Sequence, residues 1–211
     1  VENKNQKNGG KMIDSALYRK AHDMQKREDF AGWCKFFIIL LSVLLLFTIF
    51  IRSAFSGIYV IGNSMSPTLS DGDFLIANLL KEPRRDAIVV IKIPERFSQE
   101  FTGEYIIKRV IATEGDRIYC EDHVVYLSLA GETEFTPVSD HASSLTPDFP
   151  LVEVGEGEVF CMGDNRASSK DSTEVGCFSV SDIYGVVPLW SVSDKGAFTF
   201  IINLIEGTLG R

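Results

Sequence analysis

Ala87-Ile88-Val89-Val90-Ile91-Lys92-Ile93-Pro94 is a run of β-branched residues closed by a proline. Val and Ile lose side-chain freedom in a helix but pack well on a pleated surface, and proline cannot continue the hydrogen-bonded ladder. The run predicts a buried strand. Upstream lie Gly57-Ile58-Tyr59-Val60-Ile61-Gly62, bounded by glycines, and Asp73-Phe74-Leu75-Ile76-Ala77, which follows an Asp71-Gly72 turn. Downstream lie Glu104 to Ala112, a hairpin of Arg117–Cys120 and His123–Leu129 around Glu121-Asp122, then Val159-Phe160-Cys161-Met162 and Ile183 to Leu189. Short strands with turn residues between them predict a mainly β body. No ten-residue helical pattern separates them, which disfavours a parallel α/β sheet. Residues 131–158 are rich in Gly, Ser, Thr, Pro, Asp and Glu and read as a loop-rich insertion.

Ahead of this body, Trp33 to Ile51 reads WCKFFIILLSVLLLFTIFI, with Lys35 its one charge. Nineteen helical residues span roughly 28 Å, close to the ~30 Å core of a bilayer. No polar face interrupts the run, so it predicts a single transmembrane anchor. Arg19, Lys20, Lys26, Arg27 and Lys35 lie on its N-terminal side, and Arg52 stands almost alone after it. The positive-inside rule places residues 1–32 in the cytoplasm and the body outside. A cleaved signal peptide, with Ala54-Phe55-Ser56 at the cut, is the alternative, but the apolar run and the leader before it are long for one. The chain thus divides into a tail (1–32), an anchor (33–51), an extracytoplasmic body (52–190) and a C-terminal segment (191–211). Within the last, Ala197 to Ile205 is too short to span a bilayer and reads as a strand or as a patch against the anchor or lipid.

The formal net charge is −8, spread unevenly. Residues 1–32 carry seven Lys/Arg against five Asp/Glu, whereas from Arg52 onward there are thirteen against twenty-four. An acidic body lacks the basic footprint that nucleic acid requires. Cys34, Cys120, Cys161 and Cys177 form no C-x-x-C pair, so a zinc knuckle is disfavoured. Cys161 and Cys177 are either bridged or free.

Gly62-Asn63-Ser64-Met65-Ser66-Pro67-Thr68-Leu69 follows a predicted strand directly. A serine at a strand-to-turn transition is exposed and rigidly held, as a nucleophile must be. Pro67 fixes the exit and removes a competing N–H, and neighbouring backbone N–H groups can face an oxyanion. Of the three histidines, His22 is on the tail, His141 in the insertion and His123 at a hairpin strand, and none has a motif around it. A Ser-His-Asp triad therefore has little support. A lysine serves as base if burial keeps it neutral. Lys108, in Tyr105-Ile106-Ile107-Lys108-Arg109-Val110-Ile111, has apolar residues on both sides. Read singly, Ser64 is also a common turn residue, and Lys108 also a solvent-facing strand residue.

Together these segments form a pattern. Gly62 to Thr68 resembles the serine box of bacterial type I signal peptidases. Lys108-Arg109-Val110 with Glu114-Gly115-Asp116 resembles their lysine box, and Gly163-Asp164-Asn165-Arg166-Ala167-Ser168-Ser169-Lys170-Asp171-Ser172 their third signature. Arg85 to Val90 resembles the weaker strand box between them. The resemblance implies a β-rich signal-peptidase-type catalytic domain lying against the membrane, with a Ser-Lys dyad. It implies that Ser64 attacks the scissile carbonyl, supported by Met65 and Pro67. Lys108 is implied as base and then acid, with Ser169 orienting its amine. Asp171 with Gly163, Asp164, Asn165 and Arg166 is implied to hold that wall of the site. The implied partners are the bilayer and exported preproteins cut after a small-x-small motif, with no metal or cofactor. Three positions depart from the pattern. Thr173 replaces an arginine and leaves Asp171 without its expected partner, Ala112 replaces a glycine after the lysine, and Gly62 lacks a hydroxyl that some members place near the oxyanion. Two rival readings are a self-cleaving Ser-Lys repressor, which needs a DNA-binding domain that residues 1–32 are too short to form, and an inactive membrane receptor or adaptor retaining the fold.

Overall fold

The computed structural model describes residues 3–101, 103–138 and 141–209. The chain divides into two units, one ending at Arg52 and the other beginning at Ser53. The first is helical: α1 runs over Asn3–Ala54, reaching two residues into the second unit. Its stretch Asp29–Ala54 has a mean hydropathy of 2.8, and none of its most apolar window is buried. Two hydroxyls in the middle of that stretch are satisfied within the helix, Ser42 Oγ donating to the Ile38 carbonyl and Thr48 Oγ1 to that of Leu44, both at 2.8 Å. Internal satisfaction of this kind is what a hydrocarbon surrounding requires.

The second unit is mainly β and entirely antiparallel. Its strands are β1 (Phe55–Tyr59), β2 (Phe74–Asn78), β3 (Ile88–Lys92), β4 (Tyr105–Thr113), β5 (Arg117–Glu121), β6 (Val124–Ser128), β7 (Thr136–Pro137), β8 (Phe149–Glu153), β9 (Glu158–Met162), β10 (Phe178–Ser179) and β11 (Ile183–Val187). The larger sheet has the order β1-β2-β11-β3-β4-β9-β10 and the smaller β7-β6-β5-β8. Strand β3, formed by the β-branched run Ile88–Lys92, is flanked by β11 and β4. Strand β4 lies between β3 and β9, and Lys108 through Ala112 are all buried on it. Side chains alternate faces along a strand. Ile88 and Val90 therefore join Met65, Leu69 and Leu75 in one cluster, whereas Val89 and Ile91 join Val110, Cys161 and Phe178 in another. A third cluster joins the sheets through Ile118, Leu127, Phe149 and Phe160.

Two expectations change. The insertion 131–158 contains β7 and β8, which flank the small sheet. Strand β8 begins Phe149-Pro150, and an edge strand accommodates a proline that a central strand would not. The segment at 197–205 is not a strand. Two helices, α3 (Leu189–Ser193) and α4 (Lys195–Leu209), close the chain. They satisfy the open side of β2, which meets β11 only at Val186↔Asn78. The Ile76 N–H donates to Ser191 Oγ (2.7 Å) and the Phe74 N–H to Thr199 Oγ1 (2.8 Å). Lys195 Nζ adds bonds to Asp73 Oδ2 (2.7 Å) and the Thr68 carbonyl (2.8 Å). These hydroxyls stand where a neighbouring strand's carbonyls would.

Ser191 is fully buried. Ser191→Ala strands the Ile76 N–H, so denaturant unfolding of the detergent-solubilised protein is expected to show a loss of about 1–3 kcal/mol.

Candidate active site

Strand β1 runs into the serine segment. The Val60 N–H bonds to the Asp73 carbonyl and Gly72 N–H to the Val60 carbonyl, both at 2.9 Å, closing a loop over residues 61–71. Gly62 has φ +86°, a conformation that a side chain strains, and its N–H donates to Asp71 Oδ1 at 2.7 Å. A serine here would have to adopt that left-handed backbone, which accounts for the glycine. Met65 and Leu69 are buried in the core below, and the Leu69 N–H bonds back to the Met65 carbonyl (2.9 Å). The Ser66–Pro67 peptide is cis. Ser64 is thereby pinned from below while its half-buried side chain stays at a groove of about 710 Å³. Edge strand β1 and residues 103–107 form the walls of that groove. Among the described residues, nothing accepts a hydrogen bond from the Ser64 N–H.

Lys108 projects from the middle of β4 and is 3% exposed. Burial pushes its pKa below the ordinary lysine value, against the opposing pull of Asp171, Cys161, Asp164 and Glu174. Lys108 Nζ donates to Ser169 Oγ at 2.9 Å, and Ser169 Oγ donates to Asp171 Oδ2 at 2.7 Å. The single hydroxyl proton of Ser169 is thus committed to Asp171, leaving its lone pairs to face the amine. Asp171 is buried and fully engaged. Its Oδ2 also accepts the Gly163 N–H (2.8 Å), and its Oδ1 accepts both Thr173 Oγ1 (2.8 Å) and the Thr173 N–H (3.2 Å). Asp171 also caps α2 (Ser172–Val175). The expectation that Thr173 leaves Asp171 without a partner is therefore corrected: the threonine itself supplies two bonds.

The remaining signature residues tie the serine segment to β4. Asp164 takes Arg109 in a bidentate pair, Nε to Oδ1 at 2.8 Å and Nη2 to Oδ2 at 2.7 Å, and both side chains are buried. Thr68 Oγ1 donates to the same Oδ2 at 2.5 Å. The Asn165 N–H donates to the Ser64 carbonyl (3.0 Å) and its Nδ2 to the Asn63 carbonyl (3.2 Å). Arg166 Nε donates to the Gly163 carbonyl at 3.0 Å. Gly163 lies between the two halves of the site. A Cβ there would sit 2.5 Å from the Ser64 carbonyl oxygen and closer still to Ser169 Oγ. Among the described residues, no hydrogen bond joins Ser64 Oγ to Lys108 Nζ directly. Gly163 is what packs the serine's backbone against the lysine's partner.

Arg109, Thr68 and Thr173 were not singled out as site residues from the sequence. Arg109 carried a signal, since a charge inside a strand of apolar residues needs a buried partner. The strand and lysine boxes also meet. Asp116, 1% exposed, accepts Arg85 Nη2 (2.8 Å to Oδ2), the Thr113 N–H (2.7 Å) and the Ala130 N–H (3.0 Å). Ala112 stays within β4, and the turn after it is made at Gly115, with φ +78°. Cys161 and Cys177 are free thiols. Burial pushes the Cys161 thiol far up and that of Cys177 up to about 11, so both are held as unreactive neutral groups. His141 lies against Asp86 and His123 against the Thr146 carbonyl.

A family model for signal peptidase, peptidase S26, matches residues 31–191. A signal peptidase I of Bacillus caldolyticus is 35% identical over 147 residues, covering 63% of this chain and 77% of its own. A signal peptidase I of Bacillus licheniformis is 32% identical over 157 residues, covering 70% of this chain and 80% of its own. The crystal structure of a signal peptidase I from Enterococcus faecalis V583 is 24% identical and covers 51% of this chain and 98% of that one, with a TM-score of 0.41. The family match and the relatives define a serine endopeptidase, and the apolar helix Asp29–Ala54 fits a membrane anchor. The chain belongs to the signal peptidase, peptidase S26, family, whose activity is the removal of signal peptides.

Two substitutions probe the wall of the site. Gly163→Ala forces Ser64 and Ser169 apart, and cleavage rates are expected to fall by about 100-fold or more, since an ~1 Å misplacement of reacting groups has that effect. Thr173→Val removes one of the two bonds from Thr173. Thermal unfolding is expected to show a loss of about 1–3 kcal/mol for the buried carboxylate left short of a donor.

Proposed function

We propose that this chain cleaves signal peptides from exported preproteins with Ser64 as nucleophile and neutral Lys108 as general base. The observation that carries the reading is the hydrogen-bonded row Lys108–Ser169–Asp171, with Gly163 packing it against Ser64. A neutral amine that gives one N–H to Ser169 keeps its lone pair for the Ser64 proton. Ser64 Oγ then attacks the scissile carbonyl, and the Ser64 N–H faces the oxyanion. Lys108, now charged, returns the proton to the leaving amine. Water hydrolyses the acyl-enzyme by the same route in reverse. Edge strand β1 offers an unpaired side to an extended peptide, and the groove beside it takes the residues before the cut. The cut follows a small-x-small motif.

The basic flank of the anchor supports a cytoplasmic N-terminus and an extracytoplasmic body. Protease added outside spheroplasts is expected to digest the body; full protection would reverse the orientation.

In membranes carrying the protein, Ser64→Ala and Lys108→Ala are each expected to abolish preprotein cleavage while leaving the folded β unit intact by circular dichroism. Activity belongs to the deprotonated amine, whose pKa is lowered from 10.5. The rate is therefore expected to rise with pH through that lowered pKa and to fall on acidification. A rate independent of pH on the acid side contradicts Lys108 as base.

A further inference from the structure

Four bonds reach the signature segment 163–169 from residues 143–146, inside the insertion that composition marks as loop. Ser143 donates twice to the Asp164 carbonyl, from its N–H at 2.8 Å and from Oγ at 3.2 Å. Ser144 Oγ accepts the Ala167 N–H at 3.0 Å. Thr146 Oγ1 accepts Arg166 Nη1 at 2.5 Å. Thr146 is 3% exposed and Arg166 5%. The strut is anchored at its other end on the small sheet. The Thr146 carbonyl lies 2.9 Å from Nδ1 of His123, at the β5–β6 turn, and 3.8 Å from Cys120 Sγ. His123 N–H is in turn held by Asp148 Oδ1 at 2.9 Å.

These bonds address the peptide units that matter. Arg166 Nε holds the Gly163 carbonyl, and Gly163 is wedged between the Ser64 carbonyl and Ser169 Oγ. Asp164, whose carbonyl Ser143 holds, carries the side chain that grips Arg109 and Thr68. A guanidinium this deeply buried must keep its acceptors, because an unmet N–H in low dielectric is costly. Removing the Thr146 hydroxyl takes this acceptor from Arg166 Nη1, and any resulting shift of the guanidinium bears on the Gly163 carbonyl that its Nε holds. A shift at Gly163 bears on both serines, because there is no room for even a Cβ between it and the Ser64 carbonyl or Ser169 Oγ.

We infer that Thr146, assisted by Ser143, is a positioning residue for the hydrolytic reaction: through Arg166 it sets the spacing between the nucleophile Ser64 and the lysine-orienting Ser169. This rests on the Ser64–Lys108 reading above. It acts on the alignment of reacting groups and not on the groove that binds the peptide, so it belongs to kcat and not to KM.

The test is steady-state cleavage of a preprotein by the full-length, detergent-solubilised enzyme, well below the unfolding temperature of each variant. Thr146→Val, which keeps the shape and removes the acceptor, is expected to lower kcat about tenfold with KM unchanged. Thr146→Ser, which restores the acceptor, is expected to recover kcat to within about twofold. Ser143→Ala, at an exposed position, is expected to lower kcat a few-fold with KM unchanged, and it carries the test if Thr146→Val does not fold. Unchanged kcat in the folded Thr146→Val variant overturns the inference, as does a Thr146→Ser variant no better than valine or a loss seen in KM alone. Ser64→Ala, run in parallel, separates the two claims. If it is inert while Thr146→Val turns over normally, this inference alone fails. If Ser64→Ala still cleaves, the dyad fails and takes this inference with it.

Discussion

The bidentate pair between Arg109 and Asp164 is the contact on which the arrangement of the site depends. It crosses from the middle of β4 to the segment after β9, and both partners are withdrawn from water. Two desolvated charges offset their cost only when the geometry is good and the remaining lone pairs are met. Both conditions hold here. Asp164 also takes Thr68, and Arg109 also reaches the Asp86 carbonyl at 3.1 Å. One ion pair thereby joins the lysine strand, the signature segment and the serine segment. Removing Arg109 would leave the buried Asp164 carboxylate without its bidentate partner, at a cost of about 3–5 kcal/mol.

Lys108 stands beside Arg109 and meets the opposite fate. Successive residues of a strand face opposite ways, so the two cations enter different surroundings. Arg109 is given carboxylate oxygens at bonding distance and stays charged. Lys108 is given a hydroxyl, with the nearest carboxylate, Asp171, one hydrogen bond further away. Burial then outweighs the distant attraction and the amine's pKa falls. Asp171 meanwhile accepts from Gly163, Ser169 and Thr173, which stabilise its charge without a salt-bridged arginine. Among the described residues, no buried side-chain nitrogen or oxygen lacks a partner. A polar network of this density raises the barrier to rearrangement, because every displaced group would have to leave a bond unmade.

Much of this architecture was legible in the order of residues. The runs at 57–62, 73–77, 87–93, 104–112, 117–129, 159–162 and 183–189 each correspond to strands, because β-branched and aromatic residues bounded by turn residues have few other places to go. The strand edges hid themselves. Strand β8 carries a proline, and β7 and β10 are two residues long, so neither periodicity nor propensity marks them. The helix α4 was illegible for a different reason. Phe198-Thr199-Phe200-Ile201-Ile202 has strand composition, and what makes it a helix is its docking on β2 through Thr199 and Lys195.

By itself the sequence determined an apolar anchor, a mainly β body and, through the resemblance of its boxes, the segments that carry Ser64, Lys108 and Ser169, because each is a local property of residue type and spacing. Only the tertiary structure decided how these motifs support one another. That Arg109 finds Asp164 and that Gly163 must lack a side chain are facts about residues distant in the chain or about space left between them. No periodicity encodes them. They follow from burial, which obliges each polar group to find a partner wherever the fold brings one within reach.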